Sequence, residues 1–436
     1  SMSMENALPV APVERLVGPH PDTFRFYAVF FYAMPYNGGM VKKSYRYRLY
    51  PNKTQATLLD KHFGCTRMIY NWALAEKIRV YQETGESLSR YKLQEQLPAM
   101  KQTDKPWLAE VNAQSLQASL VNLDRAFLNF FKHKMKFPRF KKKNHRQSFQ
   151  VPQRGQMDFE NERLIIPKFQ EGIRCRISRK FEGETKTFTV CKTPTGKYFV
   201  SVLVETPEET PEKPLITLEG TIGIDVGIKD FCTLSTGEKV ENPRHLRKEL
   251  ARLKVLQRRA SKKQKGSANR KKAVLKVAKL HERIANQRND FLHKLTHRLT
   301  SENQATSLAV EDLNVSGMMQ NHCLAQAVAD VSWSEFFRQL EYKTAWRGVN
   351  LLRIGRFEPS SRLCSCGVVN SALTLGDRQW TCEACGETHD RDILAANNIK
   401  RFALTRESLR HSGQGLPGEP VDAPSLEGRM KQEASS

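Results

Sequence analysis

The sequence predicts an α/β core joined to a separate β domain, and three observations carry that prediction. Five short runs between residues 148 and 206 (SFQVPQ, RLIIPKF, IRCRISRKF, KTFTVCKT and KYFVSVLVET) alternate in the period of two that half-buried strands require. Two apolar runs further on, GTIGID and TSLAVE, each end in a single acid and read as buried strands. From residue 220 the order strand, hairpin, helices, strand, helix, strand, helix fits an RNase H-like α/β core.

Residues 1–39 stand outside this pattern. Their Ser-Met start reads as an expression scar, with Met40 an alternative start. FRFYAVFFYAM is too short and poorly flanked for a signal peptide, so the segment is expected to be a disordered extension. SYRYRLYP is a strand stopped by Pro51. A helix follows with Leu59, Phe63, Ile69 and Trp72 near one face, ended at Gly85. A second stripe runs through Leu116, Leu120, Leu123, Phe127 and Phe131. A strand, helices and then strands fit a small β-barrel interrupted by a helical lobe, with PTG turning between the last two strands. ETPEETPEKP is an acidic, proline-rich linker. After Asp225, FCTLST and KVEN form a hairpin about Gly237. Residues 245–299 are helical, with Leu253, Leu256, Val274, Val277, Ile284, Leu292, Leu295 and Leu299 on the apolar side and a break at Gly266. Residues 334–346 form another helix and VNLLRIGRF a strand. Beyond Thr405 periodicity stops, which predicts a disordered tail.

The formal net charge is +24, with Lys and Arg spread over several segments. A polyanion is the natural partner, through counterion release at phosphates; a ribosomal or chromatin-type binder without chemistry has the same balance. No long apolar span argues for a membrane. Of nine cysteines, five stand singly and the last four cluster. That usage fits metal binding in a reducing cytoplasm better than a disulfide scaffold.

A carboxylate at the end of a buried run is costly unless a metal or cation holds it. Asp225 and Glu311 end two such strands, and Asp392 lies at a helix start. Together they suit divalent cations at a sheet edge, two magnesium or manganese ions for phosphodiester hydrolysis. Singly, each acid reads as well as a helix cap or an arginine partner. Cys364-Ser-Cys366 and Cys382-Glu-Ala-Cys385 read as a zinc ribbon for one structural ion. The first arm is one residue short, and a CxC turn is not expected to make the same knuckle; a degenerate ribbon without metal is the competing reading. His389 is an alternative ligand or a proton carrier. Three basic stretches, RKFEGETKTF the shortest of them, follow the same logic of charge. In FKHKMKFPRFKKKNHRQSF, Phe137, Phe140 and Phe149 alternate with cations, which makes Lys141, Lys142, Lys143, Arg146 and Phe149 candidates for nucleic-acid contact. The same aromatics fit a barrel core equally well. The stretch from Arg252 to Lys276 spans the helical hairpin's turn and is expected to face nucleic acid.

GIDVGIKDF, AVEDLNV, PSSRLCSCG, WTCEACGETHDRD and AANNIK resemble the RuvC-like and zinc-ribbon signatures of TnpB (OrfB) proteins. KKSYRYRLYPNKTQ, FGCTRMIYNWAL and FPRFKKKNHRQSF fit the same family upstream, so the resemblance covers residues 42–402. It implies a β-barrel wedge domain (40–52 and 133–206), a helical recognition lobe (53–132), a linker (207–219), a RuvC-like nuclease (220–360 and 387–403), an inserted zinc ribbon (361–386) and a disordered tail (404–436). It favours Asp392 over Asp390 as third acid, because Asp392 directly precedes the matching segment. It implies an RNA-guided DNA endonuclease with guide RNA and target double-stranded DNA as partners, expected as a monomer on one RNA. Leu394 departs from the family, which usually has Asn there. A nuclease-deficient RNA-guided DNA-binding protein and an effector with a CRISPR guide are the alternatives. A DNA-strand transposase is disfavoured, since no Tyr with paired His is evident.

Overall fold

The computed structural model describes residues 40–411 other than 134, 144, 145, 322, 323, 357 and 375. The expected extension and residues 412–436 lie outside them. The chain opens with β1 (Lys42–Leu49), followed by α1 (Lys53–Thr84), α2 (Arg90–Gln102) and α3 (Ala113–His133). PNKTQ starts α1 because Asn52 and Gln55 form a reciprocal capping box, and Gly85 ends it at φ 73°, a left-handed turn that glycine adopts without strain. Cys65, Ile69, Leu74, Leu93, Leu97, Leu116, Leu120 and Leu123 make the core of this helical lobe. Phe131, expected on the apolar stripe, is instead 72% exposed. It lies in the last turn of α3, past Leu123, the last buried residue of that helix.

Six strands follow: β2 (Gln147–Val151), β3 (Gln156–Asp158), β4 (Arg163–Ile166), β5 (Phe169–Arg176), β6 (Glu184–Lys192) and β7 (Tyr198–Glu205). With β1 they form an antiparallel sheet of order β2-β6-β7-β1-β5-β4-β3. Thus β1, although separated by three helices, lies between β5 and β7. Tyr47, Val190, Val200, Val202 and Ile173 fill its core, and α1 plugs it with Leu59 and Phe63.

The second half holds β8 (Thr221–Val226), β9 (Asp230–Leu234), β10 (Lys239–Glu241), α4 (His245–Ser261), α5 (Ala268–His297), β11 (Ser307–Glu311), α6 (Val315–Met318), α7 (Ala325–Val331), α8 (Trp333–Arg347) and β12 (Asn350–Ile354). A small ladder of β13 (Gln379–Thr381) and β14 (Thr388–Asp390) precedes α9 (Arg391–His411). The main sheet has the order β10-β9-β8-β11-β12. The pairs β8–β9 and β9–β10 are antiparallel, while β11 runs parallel to both β8 and β12. Ile224, Phe231, Leu308, Val310, Leu292, Phe336 and Leu340 form the core under α5 and α8.

Three expectations change. Residues 404–411 continue α9 as one helix, so the periodic pattern's break at Thr405 is not the end of structure. Val274 is 48% exposed, on the part of α5 that extends beyond the core. The short helices α6 and α7 went unseen, because four and seven residues are too few for a 3.6-residue period to show.

Candidate active site

The parallel register sets two acids side by side. Ile224 of β8 is opposite Val310 of β11, so Asp225 and Glu311 are the next residues along neighbouring strands. The third, Asp392, sits in the first turn of α9. That helix reaches β8 because Gly223 has no side chain: a Cβ there would lie 2.0 Å from the Ala396 carbonyl oxygen. Burial, together with the neighbouring charges of Glu311 and Asp392, pushes the Asp225 carboxyl well above the usual carboxylate range. Burial also raises Glu311, against the pull of the Ser360 hydroxyl, which donates to its Oε1. The three carboxylates are electrostatically coupled, yet they are not among the described groups whose ligand atoms all lie within 4.8 Å of one another. Asp392 accepts from the Arg378 guanidinium at 3.3 and 3.4 Å.

Asp390 has a different employment. Its Oδ1 accepts from the backbone N–H groups of Asp392 and Ile393, both at 3.1 Å, which caps α9. Burial opposes ionisation, but the Lys239 ammonium at 2.7 Å and these N–H donors outweigh it and hold the Asp390 carboxyl below its ordinary value. Leu394 is buried with Cys364, Leu373, Trp380 and Cys382, so it serves as a packing residue between α9 and the cysteine cluster.

The four cysteine sulfurs lie within 4.8 Å of one another. The short arm therefore brings its sulfurs to the cluster, through a turn that differs from that of the longer arm, as expected for CxC. Its turn is closed by the Gly367 N–H on the Cys364 carbonyl at 3.0 Å, where the longer arm uses Gly386 on Cys382 at 2.8 Å. Both glycines have positive φ, 94° and 71°. The Cys364 thiol is pulled down to about 5: burial works against this, and hydrogen bonds with the Cys366 backbone and the His389 ring prevail. His389 is buried, its Nε2 3.0 Å from Cys364 Sγ and its ring 4.9 Å from that of Trp380. That position, beside the sulfurs, suits the alternative-ligand reading of His389. A second described group, Cys364, Glu387 and His389, shares the first sulfur.

Three family models match: "Probable transposase" (OrfB of IS605) over residues 199–322, "Helix-turn-helix domain" over 40–86, and "Cas12f1-like, TNB domain" over 333–399. A Streptomyces pristinaespiralis protein named "Putative RNA-guided DNA endonuclease" is 41% identical over 90% of this chain and 96% of its own length. The chain belongs to the TnpB (OrfB) family. A second member, "Putative RNA-guided DNA endonuclease InsQ" of Escherichia coli, is 32% identical over 87% of this chain and 98% of its own. A structure described as "Cryo-EM structure of the Cas12f1-sgRNA-target DNA complex" shares the fold at TM-score 0.50, with 14% identity over 80% of this chain and 83% of that one. In this TnpB chain the span matched as helix-turn-helix is a strand and one uninterrupted 32-residue helix.

Elsewhere in the TnpB chain, the basic stretch splits in two. Phe149 is not a base platform: it is 3% exposed, in the sheet core, with its ring 4.8 Å from His62 and 5.3 Å from Phe63. The alternation of SFQVPQ puts it on the same face as Val151. Lys141 is bracketed, its backbone N–H and carbonyl both bonded by the Asn71 amide and its ammonium 3.9 Å from the Tyr70 ring centroid. Lys142, Lys143 and Arg146 are exposed. Two contributors to the site escaped the sequence. Ser360 holds Glu311, and the buried Asn398 amide donates to the carbonyls of Ser360 and Leu363, both at 2.7 Å, fixing that loop to α9. Both lie inside recognised TnpB motifs, but a loop Ser and a helical Asn carry no spacing signal of their own.

Proposed function

We propose that this chain is an RNA-guided DNA endonuclease that hydrolyses target DNA at Asp225, Glu311 and Asp392. The observation that carries it is the coupling of three carboxylates at one sheet edge, in a chain 41% identical to a relative named for that activity. The strand order β10-β9-β8-β11-β12 with its antiparallel start supports reading this half as an RNase H-like nuclease. Both edge strands of the other sheet supply one core, Phe149 and Val151 with Met157, which supports the barrel reading. The helical lobe is then the recognition module. No described helix is long and apolar enough to cross a membrane, and the cytoplasm is the compartment we assign.

The donor set is carboxylate oxygen alone, which fits magnesium or manganese and not a thiophilic ion. Asp225, Glu311 and Asp392 would hold such ions, whose chemistry when bound would be to make a water acidic enough to attack and to offset negative charge on the leaving 3′-oxygen. The protein's own part is to hold Asp225 and Glu311 on rigid strands, with Ser360 orienting Glu311 and Arg378 balancing Asp392. Because the raised Asp225 and Glu311 carboxyls must lose their protons to hold a cation, the magnesium concentration needed for half-maximal cleavage is expected to fall as pH rises, which metal titrations of single-turnover cleavage at several pH values would reveal.

The cysteine cluster suits one structural zinc ion per chain. Elemental analysis should return one zinc per chain and lose it in Cys382→Ser; zinc at background in the unaltered protein would make the ribbon degenerate.

Sequencing the RNA that co-purifies with the protein tests the guided reading. A structured RNA ending in a variable segment is expected, whereas random RNA or none would point to a plain nuclease.

A further inference from the structure

The end of α3 and the segment after it carry a feature that neither the acids nor the cysteines use. Leu128, Phe131, Met135, Phe137 and Phe140 are 53, 72, 44, 45 and 53% exposed. Phe137 meets Phe127 and Phe130 edge-on, at 5.6 and 5.4 Å with planes near perpendicular. Those contacts pin the segment to α3. Phe127 in turn packs against the core of the helical lobe, so the cluster has a firm base. Phe131 lies outermost, stacked on Phe127 at 6.3 Å and 21°.

The segment that carries this patch also carries the exposed cations Lys132, Lys136, Arg139, Lys142 and Lys143, and no acid occurs in the sequence between Asp124 and Asp158. The surroundings discriminate among occupants. A second copy would press two cationic rims together without a compensating carboxylate. A DNA duplex hides its base faces. Unpaired nucleotides in a folded RNA offer phosphates to the rim and π-faces to the aromatics at once.

We propose that Phe131 and Phe140 form a stacking platform for unpaired bases of the guide RNA, with Lys142 and Lys143 holding the adjoining phosphates. This rests on the RNA-guided reading and moves the platform away from Phe149, which is core. Fluorescence anisotropy of the full-length RNA-free protein with labelled dodecauridylate tests it. F131A/F140A should weaken binding at least about tenfold with an unchanged salt slope. F131Y/F140Y should bind as the unaltered protein does, which separates stacking from misfolding. K142Q/K143Q should instead lower the salt slope by about 0.7 per lysine.

Unaltered affinity in F131A/F140A, with a native circular dichroism spectrum, would overturn the proposal. So would loss of dodecathymidylate binding by F131A/F140A in the RNA-loaded complex, where guide RNA should already cover the patch and leave that affinity unchanged. Conversion of a dimer to monomer without loss of RNA affinity would make the patch a self-contact. Guided cleavage by the unaltered protein, measured on the same preparation, keeps the two questions apart: cleavage with unaffected F131A/F140A binding sinks the platform alone.

Discussion

Asp225→Asn should lower guided cleavage at least about a hundredfold while target binding survives and the metal-free chain melts at a higher temperature. The opposite signs have one cause. Asp225 is pressed by burial and by Glu311 and Asp392, so its carboxyl keeps its proton well above the usual carboxylate range. The unfolded chain releases that proton near pH 4. Above that point the native state binds more protons than the unfolded state, and stability falls as pH rises through the elevated native value. The amide removes this cost along with the metal ligand. The gain in melting temperature is therefore largest at neutral and alkaline pH and disappears below about pH 4. Glu311→Gln and Asp392→Asn should likewise stop cleavage without releasing target DNA. Retained cutting by any of the three would remove that residue from the site, and a lower melting temperature for Asp225→Asn at pH 8 would contradict the electrostatic account.

Gly223→Ala should have the next largest effect, although it adds a single methyl group. Its Cβ would stand 2.0 Å from the Ala396 carbonyl oxygen and 3.0 Å from Lys400 Cβ. The nearer atom is backbone, so α9 itself must shift. Overpacking of this kind costs about 1–3 kcal/mol. Asp392 is carried on the same helix one turn away, and a displacement of about 1 Å at a reacting centre is worth on the order of a hundredfold in rate. Chemical denaturation and cleavage rates measured together check this. Unchanged stability and full cleavage would mean that α9 does not rest on β8 as described.

Much of this was legible because the chemistry coincides with periodic signals. Asp225 and Glu311 end apolar runs whose length and β-branched content announce strands, and Cys382 and Cys385 carry the spacing of a zinc knuckle. What could not be read depends on approach between distant segments. Adjacency to AANNI favours Asp392 over Asp390 in the sequence, but the Lys239 contact that occupies Asp390 comes from a strand 151 residues away and is not visible there. Ser360 and Asn398 act through carbonyls and a carboxylate placed by tertiary structure. Phe149 and Phe140 look alike in sequence, but a strand's alternation buries one, while the other, 53% exposed, lies where no regular element forms. The short CxC arm makes its own turn, closed one residue early by the glycine after its second cysteine, a hydrogen bond that spacing alone does not reveal.

The central claim is that one acid site cuts DNA chosen by a bound RNA. Its most direct test is to purify the chain with its own RNA and replace the RNA's variable segment with a chosen sequence. Plasmids with and without the matching sequence are then incubated in magnesium or manganese. The account predicts cleavage of the matching plasmid alone, abolished by chelation and by Asp225→Asn. Equal cleavage of both plasmids, or matched cleavage that persists in Asp225→Asn, would contradict it.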